Sequence, residues 1–463
     1  MNAQDRLGQR AITCFKAYDV RGELGKNLDP DVAYRIGRAF AEARQAKRVV
    51  VGRDSRASSP ELAKALIEGL TDGGTDVLDL GLAGTEEVYF HTGFQDTDGG
   101  IEVTASHNPI NYNGMKIVGR GSAPLDPATE LPPIVELAQS GEFTPVAKKG
   151  SVTDYRHARA DYASAMADFV DVAALKPMKI LVNAGNGTAG PTFDAIAAEL
   201  ERRGAPLTFV RMHHDVDSSF PNGIPNPLLP ENQPRTSDAV RAEGADLGVA
   251  WDGDFDRCFF FDDKGDFIPG EYIVGLLGAA FLEKSPGEKV VHDPRVIMNT
   301  RAMIGEAGGE AVVSKTGHAF IKRKMRDVGA IYGGEMSAHH YFRDFYYCDS
   351  GMIPWLLVVE LLARKGKTLA ELLSERMRLY PSSGETNYEL ADPDASIQRV
   401  IATLGDKANS RDDLDGVSLD FGKWRFNLRK SNTEPVVRLN VEADGDPALV
   451  AEKQAELAAL LKG

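Results

Sequence analysis

The sequence predicts an α/β protein of four domains, three of them related, with mixed and mostly parallel sheets, and a smaller C-terminal α+β domain. Three observations carry this. The chain has 463 residues, several times the roughly 100 to 200 of an average domain. A β-branched apolar run, a Gly/Asp/Pro turn and a segment of helical periodicity recur at Arg48, Met178 and Lys289, which is the signature of a repeated α/β unit. From Lys367 onward that pattern stops.

In the first unit, RVVVGRDSRASSPELAKAL reads as strand, turn and helix, and TDVLDLG follows Gly73-Gly74 as a second strand. In the second, MKILVNAGNGTAGPTFDAI is followed after Gly204 by APLTFVRM, and in the third KVVHDPRVIMNTRAMI is followed after Gly308-Gly309 by EAVVSKTG. A strand, helix, strand connection of this length joins parallel strands, so functional residues are expected at the strands' carboxyl ends. In the last unit TLAELLSERMRLY reads as an amphipathic helix, GVSLDF, KWRFNLR and VVRLNVEA as strands, and AEKQAELAALL as a closing helix. Divisions near Gly150, Asp256 and Gly366 give domains over 1–150, 151–256, 257–366 and 367–463.

Lys and Arg number 53 against 68 Asp and Glu, a net charge of −15, so nucleic acid is a poor partner. Hydrophobic residues at 43% and charged residues at 26% are ordinary globular values and exclude a disordered or collagenous chain. Cys14, Cys258 and Cys348 form no C-x-x-C pair, which fits buried thiols in a reducing cytoplasm. MNAQDRLGQR has no apolar signal core, and the longest apolar stretch, 351–363, is broken by Pro354 and Glu360. Neither an export signal nor a membrane span is expected.

Asp252-Gly253-Asp254-Phe255-Asp256-Arg257 follows the apolar strand ADLGVAW. Alternate carboxylates in one loop converge on a point, and an all-oxygen set suits a hard divalent cation such as Mg²⁺. It is not an EF-hand, because Arg257 stands where that loop needs Gly and Asp263 where it needs Glu. Thr104-Ala105-Ser106-His107-Asn108-Pro109 follows GIEV. Adjacent residues of an extended chain face opposite ways and there is no G-x-S-x-G elbow, so a hydrolase dyad is a poor reading. A serine that itself carries a phosphoryl group needs only an exposed hydroxyl, cations such as His107 and Lys116, and a metal.

Gly185-Asn186-Gly187-Thr188-Ala189-Gly190 has the dinucleotide G-x-G-x-x-G spacing, with Asp215 placed for a ribose. Pro191 opens the helix and nothing else supports redox chemistry, so a tight strand-to-helix turn explains the glycines. Gly366-Lys367-Thr368 resembles the end of a P-loop, but Leu361 occupies the position of its first glycine. In Gly334-Glu335-Met336-Ser337-Ala338-His339-His340, Glu335 and Ser337 lie two apart and can bind vicinal sugar hydroxyls, while at least one of His339 and His340 is expected to be structural. Arg429-Lys430-Ser431-Asn432-Thr433-Glu434-Pro435 combines a guanidinium fork, hydroxyls and turn amides, which can cradle phosphate or form a plain polar hairpin.

Together FKAYDVRG, TASHNP, DGDFDR, GEMSAHH and RKSNTEP, in that order along nearly the whole chain, resemble the α-D-phosphohexomutase family and its bacterial phosphomannomutase/phosphoglucomutase branch. The resemblance implies four domains around a central cleft, each giving one loop. It implies interconversion of mannose 6-phosphate and mannose 1-phosphate, and of the glucose phosphates, through a phosphoserine and a hexose 1,6-bisphosphate that also serves as activator. The product would feed GDP-mannose and polysaccharide synthesis in the cytoplasm. By the same resemblance Ser106 is the phosphoserine, and Ser106, Asp252, Asp254 and Asp256 hold Mg²⁺. Tyr18, Arg21, His107, Lys116 and Arg257 line the transfer end, with His339 an acid/base candidate. Glu335, Ser337 and His318 meet the sugar, and Arg429, Ser431, Asn432 and Thr433 grip the non-reacting phosphate. Phe255 and Ala338 depart from the family's pattern, each standing where Gly is common, and Met336 replaces the Gln usual in phosphoglucosamine mutases. The partners implied are small phosphosugars, and the assembly a monomer or weak homodimer. A Mg²⁺-dependent sugar phosphatase and a non-enzymatic phosphosugar-binding protein are the alternatives; the second has no use for the Ser106 and Asp252 clusters.

Overall fold

The computed structural model describes residues 11–430 and 436–463, which fall into two compact units. The first comprises residues up to Phe267 and Asp344–Lys365, the second Ile268–Arg343 and Gly366–Gly463.

The first unit holds two sheets. The larger has six strands in the order Val20–Glu23, Tyr112–Gly119, Gly99–Val103, Arg48–Arg53, Asp76–Leu82, Val152–Asp154. Arg48–Arg53 runs parallel to both neighbours, as strand, helix, strand crossovers require, whereas Tyr112–Gly119 is antiparallel to the strands beside it. Side chains alternate across the sheet. Val49 and Val51 enter a core with helices Pro30–Arg44 and Ser59–Asp72, while Val50 faces the other way, toward Val88 of helix Thr85–Phe94. The RVVV run is therefore continuous because both faces are covered.

The second sheet is ordered Phe267–Ile268, Cys258–Phe261, Leu247–Trp251, Met178–Asn183, Leu207–Met212. Leu247–Trp251 and Cys258–Phe261 form an antiparallel hairpin in which Trp251 pairs with Cys258. The division expected at 256/257 lies inside the loop of this hairpin, so the sheet continues beyond it. The reason is local: DGDFDR is a reversal between two apolar strands and not a linker.

In the second unit, Lys289–His292 runs parallel to Glu310–Val313 and to Tyr332–Gly334, which turns back antiparallel into His340–Phe342. The last sheet is antiparallel, in the order Ser382–Glu389, Val436–Ala443, Trp424–Lys430, Val417–Asp420, Ser410–Asp412. It packs on helices Pro393–Leu404 and Pro447–Lys462 through Val400, Leu404, Leu457 and Leu461. The fold class is thus three mixed α/β sheets and a C-terminal antiparallel one with helices. Its outer strands, SSGETNYE and SRD, are not recognisable in the sequence, because both are partly or fully exposed and carry no apolar alternation. No helix among the described residues is long and apolar enough to cross a membrane.

All three repeats begin as expected, with strands Arg48–Arg53, Met178–Asn183 and Lys289–His292 followed by helices Ser59–Asp72, Ala189–Arg202 and Met298–Glu306. The G-x-G-x-x-G turn is a packing device. A Cβ on Gly187 would lie 2.7 Å from the Gly253 carbonyl oxygen, and one on Gly190 would lie 2.1 Å from that of His214. Gly190→Ala is therefore expected to destabilise the protein by about 1 to 3 kcal/mol through overpacking against backbone, read as a lower urea midpoint in the transition that includes this sheet.

Candidate active site

The Ser106 loop leaves the carboxyl end of Gly99–Val103. Ser106 is buried and has φ of 48°, a left-handed conformation that costs a non-glycine residue roughly 1 kcal/mol or more and must be held by its surroundings. Arg56, itself buried, supplies the hold. Its Nη2 donates to the carbonyls of Ser106 (2.9 Å) and Asn108 (2.6 Å), and its Nη1 to those of Pro109 (2.9 Å) and Tyr112 (3.1 Å). Asp54 completes the frame. Its Oδ1 accepts from the Arg56 N–H at 2.9 Å and from the Ser59 hydroxyl, and its Oδ2 accepts from the Ala105 N–H at 3.3 Å.

The Ser106 hydroxyl donates to Asp252 Oδ2 at 2.5 Å and lies 3.0 Å from His107 Nδ1. Asp252, Asp254 and Asp256 are all buried, and each brings a carboxylate oxygen to within 4.8 Å of the others. Lys116 Nζ lies between two of them, 2.7 Å from Asp254 Oδ2 and in contact with Asp256. Burial opposes the charge on Lys116, but the surrounding carboxylates Asp254, Asp256 and Asp252 outweigh it and hold the ammonium above the usual lysine range. Arg257 approaches Asp252 at 3.7 Å. Burial and the like charges of Asp256 and Asp254 push Asp252 up to about 7, and burial together with Arg257 and Arg21 pushes His107 well below the usual histidine range. His107 is therefore neutral near pH 7.

Three carboxylates against Lys116 and Arg257 leave a buried excess of negative charge, and Asp252 Oδ1 and Asp254 Oδ1 are buried with no hydrogen-bond partner among the described residues. Such oxygens are costly unless a cation meets them. The donor set, all oxygen and anionic, fits a hard divalent ion. Thr85 and Thr104 donate to Asp254 Oδ2 at 2.7 and 3.1 Å, which leaves Oδ1 as the open atom. Phe255 holds φ of 47° and its ring packs on Gly84, where a Cβ would lie 2.0 Å from it. Arg21 lies in strand Val20–Glu23, paired with Gly114, and Tyr18 just precedes that strand, half-buried.

In the second unit Glu335 and Ser337 sit in the turn between Tyr332–Gly334 and His340–Phe342. Glu335 is buried and accepts from the Gly317 N–H at 2.8 Å and the Tyr341 hydroxyl at 2.6 Å, with His339 Nδ1 at 3.2 Å and Arg295 at 3.7 Å. Burial opposes ionisation, yet His339, Arg295 and Tyr341 together hold this carboxyl well below the usual range. Ser337 Oγ is 3.2 Å from Arg295 Nη2 and 3.4 Å from His339 Nδ1. Ala338 has φ of 68°, which accounts for a position where glycine is at ease. His340 is buried, bonded to the Tyr332 hydroxyl at 2.7 Å, and burial lowers it to about 3. It is the structural member of the pair. His318 opens the helix His318–Val328, directly after the Gly317 amide that Glu335 holds.

Arg429, at the end of Trp424–Lys430, donates to Glu385 Oε2 at 3.1 Å. Ser431, Asn432 and Thr433 lie outside the described residues.

Sequence reasoning missed Arg56, Arg295 and Glu385. For the first two a signal existed. After the first strand of each repeat stands Asp54-Ser55-Arg56, Asn183-Ala184-Gly185 or Asp293-Pro294-Arg295, and in each the side-chain oxygen accepts from the backbone N–H two residues on, at 2.9, 3.0 and 2.9 Å. This Asx-turn puts a guanidinium at the carboxyl end of the strand in the first and third repeats.

Four family models match the chain in order: phosphoglucomutase/phosphomannomutase alpha/beta/alpha domains I, II and III over 13–144, 160–265 and 269–380, and the C-terminal domain over 385–460. The chain is 56% identical over 454 residues to a phosphomannomutase of Salmonella typhimurium, spanning 97% of this chain and 99% of that one. It is 52% identical over 455 residues to a protein named phosphohexose mutases from Xanthomonas campestris, spanning 98% and 100%. The crystal structure of a phosphoglucomutase/phosphomannomutase family protein from Burkholderia thailandensis superposes with a TM-score of 0.87 at 33% identity, covering 98% of this chain and 97% of that one.

Arg56→Ala is expected to free the 104–112 loop, because four carbonyls lose their donor and Asp54 is left buried beside no cation. Breaking such a buried pair costs about 3 to 5 kcal/mol, so amide exchange in this loop should speed by a hundredfold or more. Arg56→Lys should recover little, since an ammonium cannot span four acceptors as a planar fork does.

Proposed function

Since the chain belongs to the phosphoglucomutase/phosphomannomutase family, we propose that this phosphohexomutase interconverts mannose 6-phosphate and mannose 1-phosphate, and the corresponding glucose phosphates, in the cytoplasm. The observation that carries the reading is the Ser106 hydroxyl, on a residue whose backbone is held at φ of 48° and fixed beside Asp252 and His107; it is buried, and not exposed as the sequence predicts.

In this reading Ser106 carries the phosphoryl group. A free hydroxyl of the hexose monophosphate attacks phosphorus and gives up its proton, the bond to Ser106 Oγ breaks as the bond to the sugar oxygen forms, the freed Ser106 Oγ takes up a proton, and a hexose 1,6-bisphosphate results. After the bisphosphate turns over, Ser106 Oγ attacks its other phosphate, the bond from phosphorus to the sugar oxygen breaks, that oxygen takes up a proton, and the opposite monophosphate leaves. His107, neutral and 3.0 Å from Ser106 Oγ, accepts the serine proton in that second transfer. Lys116, Arg257 and Arg21 supply fixed positive charge where phosphoryl oxygens gather charge, so no reorganisation is needed during the step.

Asp252, Asp254 and Asp256, with an oxygen from Ser106, would hold Mg²⁺, which when bound adds Lewis-acid stabilisation of phosphoryl charge. Glu335 and Ser337 hold the sugar's O3 and O4, with His318 beside them and His339 as acid/base candidate. Arg429, Ser431, Asn432 and Thr433 grip the phosphate that is not reacting, and hexose 1,6-bisphosphate restores any enzyme that has lost its phosphoryl group. The mannose 1-phosphate formed suits GDP-mannose synthesis.

Excess EDTA, with metal removal verified, is expected to abolish turnover of mannose 1-phosphate in a coupled assay, and Mg²⁺ to restore it. Retained activity would remove the three aspartates from this role. After incubation with glucose 1,6-bisphosphate, peptide mass spectrometry should find phosphate on Ser106; release of inorganic phosphate to water at the rate of the mutase reaction would instead indicate a phosphatase.

Mannose and glucose differ at C2, whereas O3 and O4 are equatorial in both and exchange places when the bisphosphate turns over. A contact to C2 in one half-reaction is lost in the other. Mannose 1-phosphate and glucose 1-phosphate should therefore lie within about a hundredfold in kcat/KM, roughly 2.7 kcal/mol. Galactose 1-phosphate, with an axial O4, should fall below both by about 1 to 3 kcal/mol for each unmade hydrogen bond.

A further inference from the structure

Three guanidinium groups of the second unit converge on one carboxylate. Glu385, in the edge strand Ser382–Glu389, accepts from Arg429 Nη2 at 3.1 Å and lies 3.5 Å from Arg438 Nη1 and 3.5 Å from Arg295 Nη1. It is mostly buried. Burial opposes its charge, but Arg295, Arg429 and Arg438 together hold the carboxyl below its ordinary value, so it is an anion throughout the neutral range. Arg295 is also shared with Asp293 at 2.7 Å and Glu335 at 3.7 Å. Glu385 is a carboxylate partner of both Arg429 and Arg438. Arg429 Nε is buried with no acceptor among the described residues, so this guanidinium is only partly engaged by Glu385.

We propose that Glu385 is a positioning residue that stands in for phosphate: it keeps Arg429 and Arg438 in place and competes with the substrate's phosphate for the same donors. This rests on the reading of the Arg429 loop as the holder of the non-reacting phosphate. A cradle of bare guanidinium groups would bind a phosphate dianion tightly, but the mutase cycle requires that grip to be released once per turnover so that the bisphosphate can present its other end. A fixed anion among the arginines weakens the grip without moving the donors. Only an interaction that is not equally strong in every bound state serves turnover.

Glu385→Gln removes the charge while its amide oxygen still accepts from the guanidinium groups. In the full-length protein, calorimetric titration with inorganic phosphate should show binding tightened on the order of tenfold. The coupled assay should show kcat and KM for mannose 1-phosphate falling together, a split that loss of a merely structural contact would not produce. Arg429→Ala is the separate control and should weaken phosphate binding at least tenfold. If that variant binds phosphate as the wild type does, the cradle itself is misassigned and the inference falls with it. If Arg429→Ala weakens binding but Glu385→Gln binds phosphate no tighter than wild type, the cradle stands and the competing role of Glu385 is wrong. Should Glu385→Gln fail to fold, Glu385→Asp, which draws the carboxylate back from the arginines, should tighten phosphate binding in the same direction, and unchanged or weaker binding would overturn the proposal.

Discussion

The Ser106 and Glu335 loops each depend on a carboxylate and a guanidinium two residues apart, placed behind them at the end of a buried parallel strand. Asp54 and Arg56 hold the Ser106 loop, and Asp293 and Arg295 hold the Glu335 loop. The correspondence extends to individual atoms. Asp54 Oδ2 accepts from the Ala105 N–H and Asp293 Oδ2 from the Met336 N–H, so each aspartate ties its own turn with one oxygen and the neighbouring loop with the other. Both arginines and both aspartates are almost wholly buried. Buried charges add little stability over an apolar core, but removing one partner is expensive. That asymmetry makes the pair a device for fixing one loop geometry and excluding others, and it lets Ser106 and Ala338 persist at positive φ.

The two units use electrostatics with opposite sign. Around Ser106 three aspartates outnumber Lys116 and Arg257, and orphaned carboxylate oxygens point to a cation. In the second unit Arg295, Arg429 and Arg438 gather around Glu385, an arrangement that points to an anion. A phosphoryl-transfer enzyme that must hold one phosphate while moving another needs both kinds of site, one to stabilise transferring charge and one to bind and let go. With a chain charge of −15, local positive charge has to be built by clustering.

The Ser106, Asp252 and Glu335 loops were legible because each is a dense run of polar groups directly after an apolar strand. The repeat was legible because a β-branched run, an Asx or glycine turn and a 3.6-residue period are local properties. Edge strands such as Ser382–Glu389 were not, since half-exposed positions lack alternation. The division placed near Asp256 falls between two apolar segments, and only their pairing as a hairpin shows that they share a sheet.

What the sequence by itself determined, then, is the three repeated units, the parallel strand pair within each and the residue types at the first strand's end, all encoded over a few tens of consecutive residues. What only the tertiary structure decided is which of those groups meet. Lys116 reaches Asp254 and Asp256 across two sheets, and Arg56 closes on carbonyls up to Tyr112. Phe255 finds space in front of Gly84, and Glu385 draws Arg295, Arg429 and Arg438 together. These contacts join residues that are far apart in the chain, and no local pattern specifies them because they follow from how sheets and helices stack. For the same reason the charge state of Asp252, Glu335 and His107 belongs to the folded protein: burial and the neighbours brought by folding set it, not the residue type.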